Sequence, residues 1–245
     1  MKALVYTGTN ASEIRDVEVP EAGAGQCIVD VTFCGICGSD MHAWHGHDER
    51  RIPPLVLGHE AVGIARSGLH AGARVAINPL ISCGKCWACA SGDRHLCASR
   101  ELIGMRYPGA FAEQVMIPES NLTRLDDHLS FQDAALAEPL AVAVRTVGLA
   151  ESGGATRDSR SVILGGGAIG LLCAKVMKAG GYAPPRIAET NSLRRAMLEG
   201  LGLGDCYDPR DGGPDEGSVD LVIDAVGMGA TRAAASAMVR PGGVI

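Results

Sequence analysis

With 245 residues, 47% of them hydrophobic and 20% charged, the chain carries enough apolar material to bury a core and is neither a disordered tail nor a disulfide scaffold. Its 22 basic and 28 acidic residues give a net charge of -6, which supplies no field for holding a phosphate backbone and argues against a nucleic-acid partner. Met1 to Gly8 lacks the apolar core of a secretory leader, and no apolar run reaches the roughly 18 residues of a membrane span, so a cytoplasmic protein without a membrane partner is expected.

In chain order, the first elements are short and β-rich: Ala3 to Tyr6, Cys27 to Phe33, Ala61 to Ala65, Arg74 to Ile77 and Ala112 to Ile117, each broken off by Gly, Pro, Asn or Asp. They predict a mostly β domain over residues 1–150, with Phe131 to Leu149 reading as a helix that could belong to either side of the boundary. The small, polar stretch from Glu151 to Thr156 reads as a connection. Beyond it the order becomes strand, Gly-rich turn, helix, strand, the pattern of a parallel α/β sheet over 151–245. Strands are predicted at Ser161 to Leu164, Arg186 to Glu189, around Asp205 to Tyr207, at Val219 to Asp224, and from Gly243 onward. A doubly wound dinucleotide sheet normally has six strands, so the sequence reads as C-terminally incomplete.

The nine cysteines are unevenly placed, which in an unexported chain favours metal ligation over disulfides. Cys83, Cys86, Cys89 and Cys97 follow one another at spacings of three, three and eight, so one short lobe (83–97) can close a tetrahedral all-thiolate zinc site. Such a closed site is structural, because no position remains for substrate. A nucleic-acid-binding zinc ribbon would use the same cysteines, but the acidic balance weighs against it. Cys37, His59, Glu60 and Glu138 are more widely spread. One thiolate, one imidazole and one carboxylate are the donors of a zinc whose fourth position stays open, and Asp40 could hold the imidazole's other nitrogen.

The apolar strand Ser161 to Leu164 runs into Gly165-Gly166-Gly167-Ala168-Ile169-Gly170 and then a helical segment. In that context Gly165 permits the tight turn, Gly167 the approach of a pyrophosphate and Gly170 close helix packing, with the helix N-terminus, which includes Ile169 as a candidate cofactor-binding residue, facing the anion. Glu189, 19 residues beyond Gly170, is placed to accept from the adenosine ribose hydroxyls, which favours NAD over NADP. Arg194 and Arg195 follow, and either could reach a 2′-phosphate; for Arg195 a solvated helix face is the better reading.

Taken together, Cys34-Gly35-Ile36-Cys37-Gly38-Ser39-Asp40-Met41-His42, Gly58-His59-Glu60-Ala61-Val62-Gly63, the four-cysteine lobe, Gly109-Ala110-Phe111-Ala112-Glu113 and Glu138-Pro139-Leu140-Ala141-Val142 resemble the zinc-containing medium-chain dehydrogenases. The similarity is greatest to the polyol branch of sorbitol, L-idonate, galactitol-phosphate, butanediol and threonine dehydrogenases. It implies an α/β protein with a GroES-like catalytic domain and a Rossmann-type doubly wound sheet. It further implies a catalytic zinc on Cys37, rather than Cys34, with His59 and Glu60, and Glu138 on the zinc or its water. Ser39 would take the alcohol proton and His42 would relay it through the ribose toward solvent. The expected cofactors are two zinc ions, one catalytic and one structural, and NAD; the expected partners are a small alcohol or polyol and, in a complete protein, further copies as a dimer or tetramer. The segment from Ile64 to Arg74 is shorter than the family's usual hairpin, and it lies between ligand groups, not within one.

A zinc-dependent oxidoreductase moving hydride between a secondary alcohol and NAD(P) is therefore the expected function. A catalytically inactive, zinc-stabilised dinucleotide sensor or fragment is the alternative, and retention of Cys37, His59, Glu60, Ser39 and His42 together argues against it. If the chain ends at Ile245, an unfinished sheet is expected to leave it poorly stable and inactive.

Overall fold

Strand runs interrupted by glycine build the first part of the chain into antiparallel sheets, and apolar runs alternating with helices build the second into a parallel one. The computed structural model describes all residues from Met1 to Ile245. They form two compact units, Met1–Glu138 and Pro139–Ile245. The helical reading of Phe131 to Leu149 is divided between them: a short helix at Phe131–Ala134, then a second at Ala137–Ser152 that runs across the boundary.

The first unit contains β1 (Lys2–Gly8), β2 (Ala11–Asp16), β3 (Gln26–Gly35), α1 (Gly38–Trp44), β4 (Leu55–Val56), β5 (Glu60–Ala65), β6 (Arg74–Ile77), β7 (Leu80–Ile81), α2 (Trp87–Ala90), β8 (Glu101–Leu102), β9 (Gln114–Pro118), β10 (Leu122–Arg124) and α3 (Phe131–Ala134). Its main sheet has the order β10-β6-β5-β3-β9; β2-β1-β4 form a second sheet, and β7 pairs with β8. Val29, Val75, Ile77 and Ile117 are buried between the strands, each removing apolar surface worth about 1.5–3 kcal/mol. Register positions the chemistry: β3 lies antiparallel to β5 with Cys34 opposite Ala61 and Gly35 opposite Glu60, so the turn at Cys37 returns over the start of β5. The short connection after β5 still closes a hairpin, with Val62 opposite Ala76 and Ile64 opposite Arg74.

In the second unit the Ala137–Ser152 helix is α4, followed by β11 (Ser161–Leu164), α5 (Ala168–Ala179), β12 (Arg186–Ala188), α6 (Ser192–Gly200), β13 (Asp205–Tyr207), β14 (Val219–Asp224), α7 (Gly229–Met238) and β15 (Val239–Val244). All pairs in the order β13-β12-β11-β14-β15 are parallel. Alternation along β11 separates the two faces. Ile163 packs with Val147 of α4 and with Leu172 and Met177 of α5, whereas Val162 and Leu164 pack with Ala235 and Met238 of α7. Helices on both faces and β12 and β14 on opposite sides of β11 make a doubly wound sheet, whose switch point lies at the carboxyl end of β11.

The last strand begins four residues before the expected Gly243. Val239 pairs with Val219 and Val244 with Leu221, with a register irregularity between them. Arg240, Pro241 and two glycines lie in the irregular stretch between these two pairs, where the ladder is interrupted and a missing proline N–H breaks no bond of it.

Candidate functional site

α1 owes its start to Asp40. Cys37 is the N-cap, and the Asp40 carboxylate, 2% exposed, reaches back to accept from the Cys37 N–H at 3.1 Å. Its other oxygen accepts from the Gly58 N–H at 3.4 Å, tying α1 to the segment that carries His59 and Glu60. Gly58 adopts φ +91°, and a Cβ there would stand 2.5 Å from the Phe111 ring, so only glycine fits without displacing that ring.

These constraints bring Cys37, His59 and Glu60 together, with one ligand atom from each inside 4.8 Å of the others. His59 is buried, and its Nδ1 has no hydrogen-bond partner beyond a loose 3.4 Å approach to Asp40 Oδ1. Burial works against a charged His59, yet Asp40 and Cys37 outweigh it and hold the ring's pKa up to about 10. The same ring pulls the Cys37 thiol below its ordinary value. Burial raises Glu60 and also Glu138, whose carboxyl feels His59, Glu60 and Asp40. One imidazole among four acidic groups carries a surplus of negative charge that a divalent cation at this point would neutralise. The thiolate, imidazole and carboxylate fit zinc with an open position. Glu138 lies within electrostatic reach but outside the three-residue ligand group. Cys34 lies apart too: burial pushes its thiol up to about 12, so it is a packed neutral group.

Ser39 sits in the first turn of α1, half-buried, with its hydroxyl directed at Cys37 and accepting from Arg51 Nη2 at 3.2 Å. His42 lies one turn on, exposed, its ring 6.4 Å from that of His47. Arg51 is a site residue that sequence reasoning missed; nothing in Asp48-Glu49-Arg50-Arg51 marks one arginine as buried.

The four-cysteine lobe hangs between β7 and β8. Cys83 and Cys86 stand 3.9 and 3.5 Å, sulfur to sulfur, from Cys89, and the Cys83 N–H points at Cys97 Sγ at 3.5 Å. Sulfurs at the corners of a tetrahedron with bonds of about 2.3 Å lie about 3.8 Å apart, so the spacing fits zinc. The backbone N–H groups of Lys85 and Cys86 draw Cys83 down to about 6, toward the thiolate that a metal requires. Trp87, between two of these cysteines, is 73% exposed.

In the second unit, Gly165 takes φ +94°, and a Cβ on Gly170 would collide with the Gly165 carbonyl, whereas one on Gly167 would meet nothing. The turn is thus closed on its inner side and open on its outer side, at the N-terminus of α5 where Ala168, Ile169 and Gly170 present free N–H groups. A cleft of about 660 Å³ opens there, lined among others by Gly165, Gly167, Glu189, Thr190, Arg194 and Met228. Glu189 accepts from the Gly166 N–H at 3.0 Å and the Asn191 N–H at 2.8 Å. Burial opposes its ionisation, but these N–H groups and Arg194, at 3.5 Å, keep its pKa low. Arg195 is not on a solvated face: it donates to the Glu189 carbonyl at 2.5 Å and to Asp208 at 3.0 Å, bracing the loop after β12. A separate apolar cavity of about 470 Å³ in the first unit, near Met1, Tyr107 and Met116, contains none of the ligand residues.

Residues 23–127 match the family model described as alcohol dehydrogenase GroES-like domain. The chain is 32% identical to the L-threonine 3-dehydrogenase of Pyrococcus horikoshii over 81% of its own length and 58% of that protein. Among solved structures, alcohol dehydrogenase TADH from Thermus sp. ATN1 superposes over 100% of this chain and 76% of its own, with a TM-score of 0.89 and 30% identity. The chain belongs to the zinc-containing medium-chain dehydrogenase family. A further zinc-binding dehydrogenase structure, from Sinorhizobium meliloti 1021 and bound to NADP, has a TM-score of 0.88 and 32% identity, covering 99% of this chain and 75% of that one. The chain spans 53% to 58% of the length of several curated relatives of this family. The α/β class expected from the sequence is the family's: an antiparallel GroES-like unit and a parallel Rossmann-like one.

Proposed function

We propose that this medium-chain dehydrogenase chain moves a hydride between the carbinol carbon of a secondary alcohol or polyol and NAD, forming a ketone. The observation that carries the reading is the convergence of Cys37, His59 and Glu60, a donor set that leaves one coordination position for an alcohol oxygen. Bound zinc supplies Lewis acidity, lowering the pKa of the alcohol hydroxyl. Ser39 takes the hydroxyl proton and His42, exposed on the same helix, passes it toward solvent. Asp40 orients His59 and anchors the backbone of both ligand segments. Glu138 lends a third buried carboxyl beside the ligands, available to the metal or its water. The cysteine quartet holds a second, structural zinc.

In the second unit the Gly165–Gly170 turn receives the pyrophosphate, and Glu189, with Arg194 beside it, meets the adenosine ribose. A carboxylate kept ionised at that point accepts from both ribose hydroxyls and repels a 2′-phosphate, which favours NAD over NADP.

The test combines zinc content per chain with NAD reduction on sorbitol, L-idonate, butanediol, galactitol phosphate and threonine. Two zincs and turnover of one of these alcohols are expected. One zinc and bound NAD without turnover on any alcohol would overturn the reading in favour of a dinucleotide sensor.

A further inference from the structure

Arg51 is 2% exposed, an unusual place for a guanidinium, and each of its nitrogens is engaged. Nε donates to the Gly104 carbonyl at 2.9 Å, Nη1 to Asp48 at 2.5 Å, and Nη2 to the Ser39 hydroxyl at 3.2 Å. The exposed Arg50 binds Asp48 as well, at 2.8 and 3.0 Å, so Asp48 has a partner without Arg51. Arg51 is therefore held by groups outside the metal centre and spends its remaining edge on Ser39. Its burial also removes it from contact with a substrate carboxylate or phosphate.

We infer that Arg51 is a positioning residue that fixes the Ser39 hydroxyl and sets the direction in which it passes a proton. A serine hydroxyl has one hydrogen and two lone pairs, whereas arginine can only donate. With one lone pair taken by Nη2, Ser39 cannot turn its hydrogen toward Arg51. It retains one lone pair to accept the alcohol proton and one hydrogen to release to the next acceptor on the way to His42. A proton arrives at Oγ as another leaves it, and no net charge accumulates on the serine. Without Arg51 only the approach to Cys37 restrains the hydroxyl, and part of the population turns away from the relay.

This inference rests on the dehydrogenase reading, and a double-mutant cycle in the full chain separates the two. Ser39→Ala, Arg51→Met and the double variant are compared for kcat, KM, solvent deuterium isotope effect, zinc content and thermal midpoint. Arg51→Met is expected to lower kcat about tenfold with KM and zinc content nearly unchanged, but less than about twofold when Ser39 is already alanine. Arg51→Gln, which keeps one donor, serves if the methionine variant does not fold, and Arg50→Gln is the control that leaves kcat intact. Additive effects of the two substitutions, or an unchanged solvent isotope effect in Arg51→Met, would overturn the role of Arg51. A wild-type chain loaded with zinc that turns over no alcohol would overturn the parent reading instead.

Discussion

At the scale of single residues, the site is held by a few buried polar contacts whose loss has calculable consequences. Asp40 serves the Cys37 N–H, the Gly58 N–H and the His59 ring with one buried carboxylate. Asp40→Asn replaces an acceptor with a donor facing N–H groups, and zinc affinity is expected to fall about 10- to 100-fold, as read by competition with a coloured chelator. Asp48 gives a second expectation. Hydrogen bonds from Arg50 hold its pKa down to about 2, against an ordinary 3.8, so its ionised form contributes stability above pH 3.8 and loses it as the pH falls toward 2. Acid titration of Asp48→Asn followed by circular dichroism should show a shallower loss across that window; an unchanged slope would remove Asp48 from the acid response. The cysteine quartet was legible because its ligands are local in sequence. Cys37 and His59 stand far apart along the chain, and only resemblance pairs them. Arg51 was not legible at all, since burial of one arginine in a charged run is decided by Gly104 and Ser39, which only tertiary folding brings to it.

Among the elements that the sequence announced clearly are the apolar strands of the second unit. β11 and the Leu221 to Ile223 stretch of β14 read as short apolar runs because both faces are covered. β2 escaped notice because all six of its residues are exposed and no alternation marks them. β4, β7 and β8 have two residues each, too few for any period to register. α1 was read only as a motif, for its start depends on a carboxylate returning to its own N-cap. The Gly-rich turn, by contrast, is written in the sequence because the backbone at Gly165 and the close approach at Gly170 leave no alternative to glycine. Gly170→Ala drives a methyl into the Gly165 carbonyl, so it is expected to cost at least tenfold in NAD affinity, measured by calorimetry, with the zinc content of the first unit unaltered. An unperturbed affinity would mean that the turn yields more easily than its contacts imply.

Across the whole molecule, the order of element types was enough to foresee a mostly β unit followed by a parallel α/β one, because strands separated by helices must cross over and strands separated by short turns need not. The lobe between β7 and β8 is different in kind. Within its helix α2 only Ala88 is fully buried, and Cys97 is the one fully buried cysteine of the four, so little apolar packing supports it. Removing metal with a strong chelator should therefore raise hydrogen exchange across residues 83–97 while the strands β11 and β14 remain protected. Loss of protection throughout the chain would assign the lobe metal a global role.

The two tryptophans, Trp44 and Trp87, both lie in the first unit. Trp87 is largely solvated between two lobe cysteines, and Trp44 stacks edge-on against His45 at 4.8 Å, at the end of the helix that carries Ser39 and His42. Tryptophan fluorescence, excited beyond the tyrosine band, is consequently a built-in optical probe of the zinc-bearing unit alone. Trp87 reports on the lobe and Trp44 on α1, while residues 139–245 add no indole signal, so a change in reduced-nicotinamide emission and a change in indole emission report on different units.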